Sequence, residues 1–350
     1  MNNAGTSASN CAETVPSRTL GELIKAYTTH KVSTFHKLRY HNRKWQTSFL
    51  KRVDRLYGHF KLNEIRFVTI KEWHMDWLGP ENKVATAHSL ISSLRTLCGF
   101  GLSIMEDEEC ERLCLVLNKG KFPQCEPRTE FMTADQCIAI RKAANERCRF
   151  SIALAQALQF ELILRQRDIV GEWVPVSEPG VSGCVISNLR GAKTPLKWLR
   201  GVCWEEIDEN MILRHVTSKK GKMLEIDLKL SPMVIEELGT EIRSQLPASG
   251  PIILSETTGY PYHTEDFRKK WRAIANAAGM PKTLRNQDSR AGGITEATRA
   301  GADLEHVRHA ATHADISQTQ RYSRGASEKV AKVQAKRLEH RNKDRYRGNG

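Results

Sequence analysis

Apolar positions along the chain first take up a helical period after residue 18. Leu20, Leu23, Ile24 and Tyr27 recur on one face, and Thr19 followed three residues later by Glu22 reads as a capping box at the start of that helix. A second helix is expected over Leu38 to Tyr57, with Trp45, Phe49, Val53 and Leu56 as its apolar stripe. Its other face is basic, with Arg39, Arg43, Lys44, Lys51, Arg52 and Arg55. Two more helices are expected, around Thr69 to Trp77 and over Lys83 to Phe100, where Ala87, Leu90, Ile91, Leu94 and Leu97 keep the period. Residues 18–118 thus read as an all-helical unit, preceded by a leader, 1–17, too poor in apolar side chains to fold.

Residues 119–128 hold Gly120, Pro123 and Pro127 and read as a linker. Beyond it the pattern becomes mixed. Thr133 is placed to cap a helix through Ala144, and a strongly apolar helix is expected from Phe150 to Leu164. Segments 211–216 and 223–228 read as strands joined by a turn, Ser218 to Lys222, in which Gly221 permits a positive φ. Helices over Pro232 to Leu246 and Thr264 to Ala278 flank a short strand near Ile252. Leu304, Val307 and Ala311 then give one more buried helical face. Residues 129–326 form an α+β unit, and 327–350 a basic tail in which Val330, Val333 and Leu338 permit an amphipathic helix.

A chain of 350 residues fits two domains better than one. The formal charge of +14 and pI near 9.4 suit a polyanionic partner, since Lys and Arg gain by displacing counterions condensed on a phosphate backbone. A generally basic soluble protein fits the charge as well. Nine cysteines without a C-x-x-C pair argue against a disulfide framework and a zinc ribbon, and point to a reducing compartment. No stretch reads as a signal peptide or a membrane-spanning helix.

Chemistry enters at three places. The apolar helix before Asp168 delivers Arg165 and Arg167 to its end, and an unpaired buried charge costs several kcal/mol, so that end is expected to open into a polar site. The turn after residue 216 carries Lys219, Lys220 and Lys222, which serve equally as ordinary decoration of an exposed turn. The stretch Gln287 to Tyr322 holds Arg290, His313 and Tyr322, none explained by core packing. His306, His309 and His313 also recur at intervals of three and four, a spacing that puts imidazoles on one helix side for a metal, but no H-E-x-x-H accompanies them.

The last stretch resembles the C-terminal signature of the tyrosine recombinase (phage integrase) family. In that family an H-x-x-R box is followed by a G-H pair and, nine residues past its histidine, a nucleophilic tyrosine. Arg290, His313 and Tyr322 stand at those positions, Ala300 to Leu304 resembles the family's A-G-x-D-L turn, and Thr319 to Tyr322 its T-x-x-Y ending. Arg165 and Asp168 match the R-x-x-E box, Trp204 to Asp208 the W-x-D-I-D segment, and Lys219 the K-x-G hairpin. Three positions depart: Gln287 replaces the first histidine of the box, Thr312 the glycine before the second, and Ile163 the glycine two residues before Arg165. Residues 170–200 look like an insertion, a hairpin or a basic loop.

The resemblance implies an all-α N-terminal core-binding (SAM-like) domain and a mixed α+β catalytic domain of the DNA breaking-rejoining type. It implies a site-specific recombinase that cuts double-stranded DNA through a 3′-phosphotyrosyl intermediate on Tyr322. Arg165, Arg290 and Gln287 would engage the scissile phosphate, His313 would bind it or help deprotonate Tyr322, Lys219 would protonate the leaving 5′-oxygen, and Asp168 would brace the site. Arg39, Arg43, Lys44, Lys220 and Lys222 would contact DNA. Neither metal nor other cofactor is implied. The implied partners are specific DNA sites, further copies of the chain forming a tetramer in synapsis, and DNA-bending accessory proteins, in the cytoplasm at a bacterial nucleoid. A type IB topoisomerase-like nicking-closing enzyme and a DNA-binding relative that has lost catalysis stay as alternatives.

Overall fold

A computed structural model describes residues 18–187, 189–239, 249–322 (backbone only at 321 and 322) and 334–339. It divides into two compact units between Pro127 and Arg128.

The N-terminal unit is helical. Helix α1 (Leu20–Thr29) starts in the capping box of Thr19 and Glu22 and buries Leu20, Leu23, Ile24 and Tyr27. A 3-10 turn over Thr34–Lys37 buries Phe35, so α2 (Tyr40–Tyr57) begins later than Leu38. The buried face of α2 is Leu50, Val53 and Tyr57, so the expected stripe holds at Val53 and, partly buried against the core, Phe49, whereas Trp45 and Leu56 are 54% and 39% exposed. Tyr57 lies in the core, where it stacks on Trp73 with ring centroids 4.2 Å apart and its hydroxyl accepts from Trp77 Nε1 at 2.9 Å. Helix α3 (Phe67–Leu78) carries those tryptophans. Helix α4 (Val84–Met105) runs past Phe100, and Asp107 caps a further helix, α5 (Glu108–Lys119), which hydropathy did not single out. Only Cys110, Leu113 and Leu117 of α5 are buried, a narrow stripe hidden among charges.

The C-terminal unit is built around α7 (Phe150–Glu161), every residue of which from Ser151 to Phe160 is buried. Helix α6 (Ala134–Asn145), capped by Thr133, packs along it. The apolar helix ends at Glu161 rather than Leu164, because Ile163 takes a positive φ of 54° and turns the chain. A short helix, α8 (Gln166–Val170), follows. Residues 172–199, expected as a hairpin or a basic loop, form a three-stranded antiparallel sheet: β1 (Glu172–Pro175), β2 (Val185–Ile186) and β3 (Leu196–Leu199), in the order β1-β3-β2. Strands β4 (Ile212–Val216) and β5 (Met223–Asp227) form a separate antiparallel ribbon with Ile212 opposite Asp227 and Val216 opposite Met223.

Helix α9 (Pro232–Leu238) ends at Gly239, whose N–H donates to the carbonyl of Ile235, short of the expected Leu246; residues 240–246 lie outside the described residues. The strand expected near Ile252 is two isolated bridges, Cys203 with Pro251 and Leu254 with Pro261, because the chain there pairs only at single residues. Helices α10 (Thr264–Ala277), α11 (Asp288–Arg299), α12 (Leu304–Ala310) and α13 (Ile316–Tyr322) complete the unit. Gln156 of α7 ties them inward: its Nε2 donates to Ser289 Oγ at 2.9 Å and its Oε1 accepts from Trp271 Nε1 at 2.8 Å. Gly293 lets α11 approach α7 closely, since a Cβ there would overlap the carbonyl oxygen of Phe160. Residues 334–339 are helical and exposed; the leader 1–17 and the rest of the tail lie outside the described residues. Among the described residues, no helix is long and apolar enough to cross a membrane.

Candidate active site

The turn after α7 sets the position of Arg165. A β-branched residue in the left-handed region costs about 1–2 kcal/mol, and Ile163 offsets this by burying its side chain among Ile294, Val307 and Ala311. Arg165 then becomes the N-cap of α8, its backbone N–H donating to Asp168 Oδ2 at 3.2 Å. The same oxygen lies 3.9 Å from Arg165 Nη1. Asp168 is fully buried, and its Oδ1 accepts the backbone N–H of Ser218 at 2.6 Å. One carboxylate therefore joins the arginine turn to the residue before Lys219. Arg167, the neighbouring candidate, pairs instead with buried Glu172 at 3.4 Å.

Arg290 sits in the first turn of α11 and is 8% exposed. Its Nη1 donates to the carbonyl of Ile163 and its Nη2 to that of Ala311. The two turns that adopt positive φ, at Ile163 and at Thr312 (51°), thus supply the oxygens that fix this guanidinium. Thr312 adds a contact of its own: its hydroxyl accepts from Arg165 Nη1 at 2.9 Å. Asp288, two residues before Arg290, is gripped by Arg128 Nη2 at 2.7 Å and by the backbone N–H of Arg285 at 2.8 Å.

His313 is almost fully buried, with Nδ1 3.0 Å from Thr319 Oγ1, and Arg308 Nη1 donates to its carbonyl at 3.1 Å. Burial, and after it the positive charges of Arg290, Arg165 and Lys219, push its pKa down to about 4. The ring is neutral at pH 7. Arg290, Arg165 and Lys219 thus each lie within electrostatic reach of His313.

Lys219 is exposed on the β4–β5 connection, which is closed by Thr217 N–H to the carbonyl of Lys222 at 2.9 Å with Gly221 at φ 63°. Lys220 and Lys222 are exposed on the same connection. Gln287 is exposed just ahead of α11 and lines a cavity of about 390 Å³ with Gln166, Arg268, Arg272 and Arg285. No sequence signature marks those arginines; the four-residue interval between Arg268 and Arg272 on α10 is the one available sign. Tyr322 is the last residue of α13, which packs against α11 and α12; its side chain lies outside the described residues.

The N-terminal candidates belong to the other unit. Lys44 is exposed, Arg39 is half-buried, and Arg43 is half-buried with Nη1 donating to the carbonyl of Leu38 at 2.7 Å. The three histidines do not converge: His306 and His309 are exposed, His309 lies 3.4 Å from Glu305, and His313 is buried. Among the described residues, no group of three or more His, Cys, Asp or Glu side chains is placed to hold a metal.

Residues 198–329 match the phage integrase family. The lambda integrase dimer bound to a COC′ core site is 16% identical, with a TM-score of 0.64 over 88% of this chain and 77% of that one. The lambda integrase tetramer bound to a Holliday junction is 16% identical, with a TM-score of 0.61 over 89% and 80%. The Tn1549 transposon integrase in complex with circular intermediate DNA is 12% identical, with a TM-score of 0.64 over 91% and 99%. No curated protein sequence matches the chain. At these identities the solved structures speak for the fold, a helical N-terminal domain followed by a mixed α/β domain, and the family match speaks for the C-terminal unit. By that match, the C-terminal unit of the chain is similar to the phage integrase family, the tyrosine recombinases.

Proposed function

We propose that this protein is a site-specific DNA recombinase that cleaves and rejoins strands through a 3′-phosphotyrosyl bond on Tyr322, in the integration or excision of a mobile element. The observation that carries the reading is the placing of two guanidiniums, Arg165 and Arg290, with a neutral imidazole, His313, in one electropositive site at the ends of α7, α11 and α12.

The chemistry divides among these groups. Tyr322 attacks phosphorus in line and expels the 5′-oxygen, so the phosphodiester energy is kept in the new bond to tyrosine. Arg165 and Arg290 bind the nonbridging oxygens, where charge accumulates as the pentacoordinate state forms. Both guanidiniums are fixed before substrate arrives, Arg290 by the carbonyls of Ile163 and Ala311 and Arg165 by Thr312. His313, uncharged at neutral pH, accepts the phenolic proton of Tyr322 or hydrogen-bonds a phosphate oxygen. Lys219 gives a proton to the departing 5′-oxygen from the exposed end of the β4–β5 connection. Gln287 donates its amide to the phosphate but carries no titratable proton.

Arg39, Arg43, Lys44, Lys220 and Lys222 contribute contacts to the backbone of the duplex, which position it without reading its sequence. The tetramer on a Holliday junction seen for lambda integrase supports assembly of four copies in synapsis, with DNA-bending proteins as accessories at a bacterial nucleoid. A suicide-nicked duplex carrying the element's own ends tests the reading. A denaturant-resistant protein–DNA adduct supports it. Relaxation of any supercoiled plasmid without exchange of partners favours a topoisomerase, and specific binding with no adduct under any condition overturns the catalytic assignment.

A further inference from the structure

We propose that Thr312 is a positioning residue for Arg165, a role carried by its side-chain hydroxyl; this rests on the recombinase reading above. The residue before His313 has φ 51°, a conformation that glycine adopts freely and that a threonine adopts at a cost. The chain nevertheless places a β-branched side chain there, 3% exposed, with its hydroxyl 2.9 Å from Arg165 Nη1. Among the described residues, that hydroxyl is the side-chain hydrogen-bond partner of the Arg165 guanidinium, because Asp168 Oδ2 lies 3.9 Å from Nη1, beyond hydrogen-bond range.

Geometry then explains what the hydroxyl does. Arg165 leaves the backbone in a turn, not in a regular helix, and its side chain is 22% exposed with the Asp168 carboxylate 3.9 Å away, so the hydrogen bond to the Thr312 hydroxyl is the one that orients its guanidinium. Thr312 accepts one of its five N–H groups and leaves the others for phosphate oxygens. Thr312 also lies between Ala311, whose carbonyl accepts from Arg290, and His313. Three consecutive residues thereby register both guanidiniums and the imidazole against one another.

Three substitutions separate this role from simple filling of space. Thr312→Gly removes the hydroxyl and relieves the backbone, Thr312→Val keeps the buried volume without the hydroxyl, and Thr312→Ser keeps the hydroxyl alone. Single-turnover cleavage of the suicide duplex is expected to slow about 10- to 100-fold in the Gly and Val variants, as for a misplaced catalytic group, with the Kd for the same duplex within about threefold of wild type. Thr312→Ser is expected within about threefold of the wild-type rate. Because the Gly variant is relieved of the positive-φ cost, its loss of rate is not a loss of fold, which its urea midpoint checks. Cleavage by Thr312→Gly at the wild-type rate, or rates that follow side-chain volume rather than the hydroxyl, overturns the inference alone. A wild-type protein that forms no adduct overturns the recombinase reading, and this inference with it.

Discussion

Asp168 Oδ1 accepts the backbone N–H of Ser218 at 2.6 Å across fifty residues of sequence, while its other oxygen holds the N–H of Arg165. A single buried carboxylate thus sets the distance between the arginine that would meet the phosphate and the lysine that would protonate the leaving group. Because the acceptor is a carboxylate and is buried, both bonds are stronger than their neutral, exposed counterparts.

Removing that carboxylate is expected to cost both stability and rate. Asp168→Ala leaves two backbone donors unsatisfied and should lower unfolding free energy by about 2–3 kcal/mol, measured by urea titration. Amide exchange at Ser218 should accelerate, and cleavage should fall even under conditions where the variant stays folded. An unchanged exchange rate at Ser218 would show that the bond does not hold the connection.

His313 gives a pH dependence whose sign follows from its burial. Its pKa in the folded protein lies at about 4, below the ordinary 6.5, so as pH falls the unfolded chain takes up a proton first. The stabilisation is fully present above about pH 6.5 and is lost as pH drops toward 4, on the order of 3 kcal/mol. Urea unfolding at pH 7 and pH 4.5 should therefore show a steeper loss for wild type than for His313→Gln. Bound duplex DNA brings phosphate beside the ring and should raise the pKa, visible in the titration of its imidazole proton resonances.

Arg128 and Asp288 form the ion pair that seats the start of α11, with Asp288 only 3% exposed. Arg128→Ala takes the guanidinium from that buried carboxylate and leaves it the backbone N–H of Arg285, which should destabilise the C-terminal unit by about 2 kcal/mol. Adding Asp288→Asn to the same protein should recover part of the loss, because an amide is less costly than a charge to leave unpaired. Two urea curves and a double-mutant comparison decide it.

How much was legible in the sequence depended on whether a residue's role was local. Thr19 with Glu22 and Thr133 with Gln136 form the capping boxes their spacing announces, because capping is settled within one turn. Arg165, Asp168, Lys219, Arg290 and His313 were recognisable by family spacing, and the fold does bring them near one another. The bond from Asp168 to Ser218 and the grip of Arg128 on Asp288 span tens to hundreds of residues, and no periodicity reports such pairs.

Misreadings have the same cause. Trp45 continues the period of Phe49 and Val53, yet it is 54% exposed while Leu50, Val53 and Tyr57 fill the core, because periodicity does not report where along a helix the core ends. The strands at 172–175 and 196–199 pair across some twenty residues of Gly-rich chain, a separation that hid them. Ile163 and Thr312 stood out as departures from glycine, but only the backbone angles show that both keep the conformation glycine would allow.

The central claim is that Tyr322 becomes covalently joined to a DNA 3′-phosphate. The most direct measurement is to trap the complex on a suicide-nicked duplex in the presence of a metal chelator, digest it, and identify by mass spectrometry the peptide that carries the nucleotide. The account predicts a phosphotyrosyl linkage on Tyr322 that vanishes in Tyr322→Phe while duplex binding persists. A linkage on another residue, or an adduct that survives in Tyr322→Phe, would contradict it.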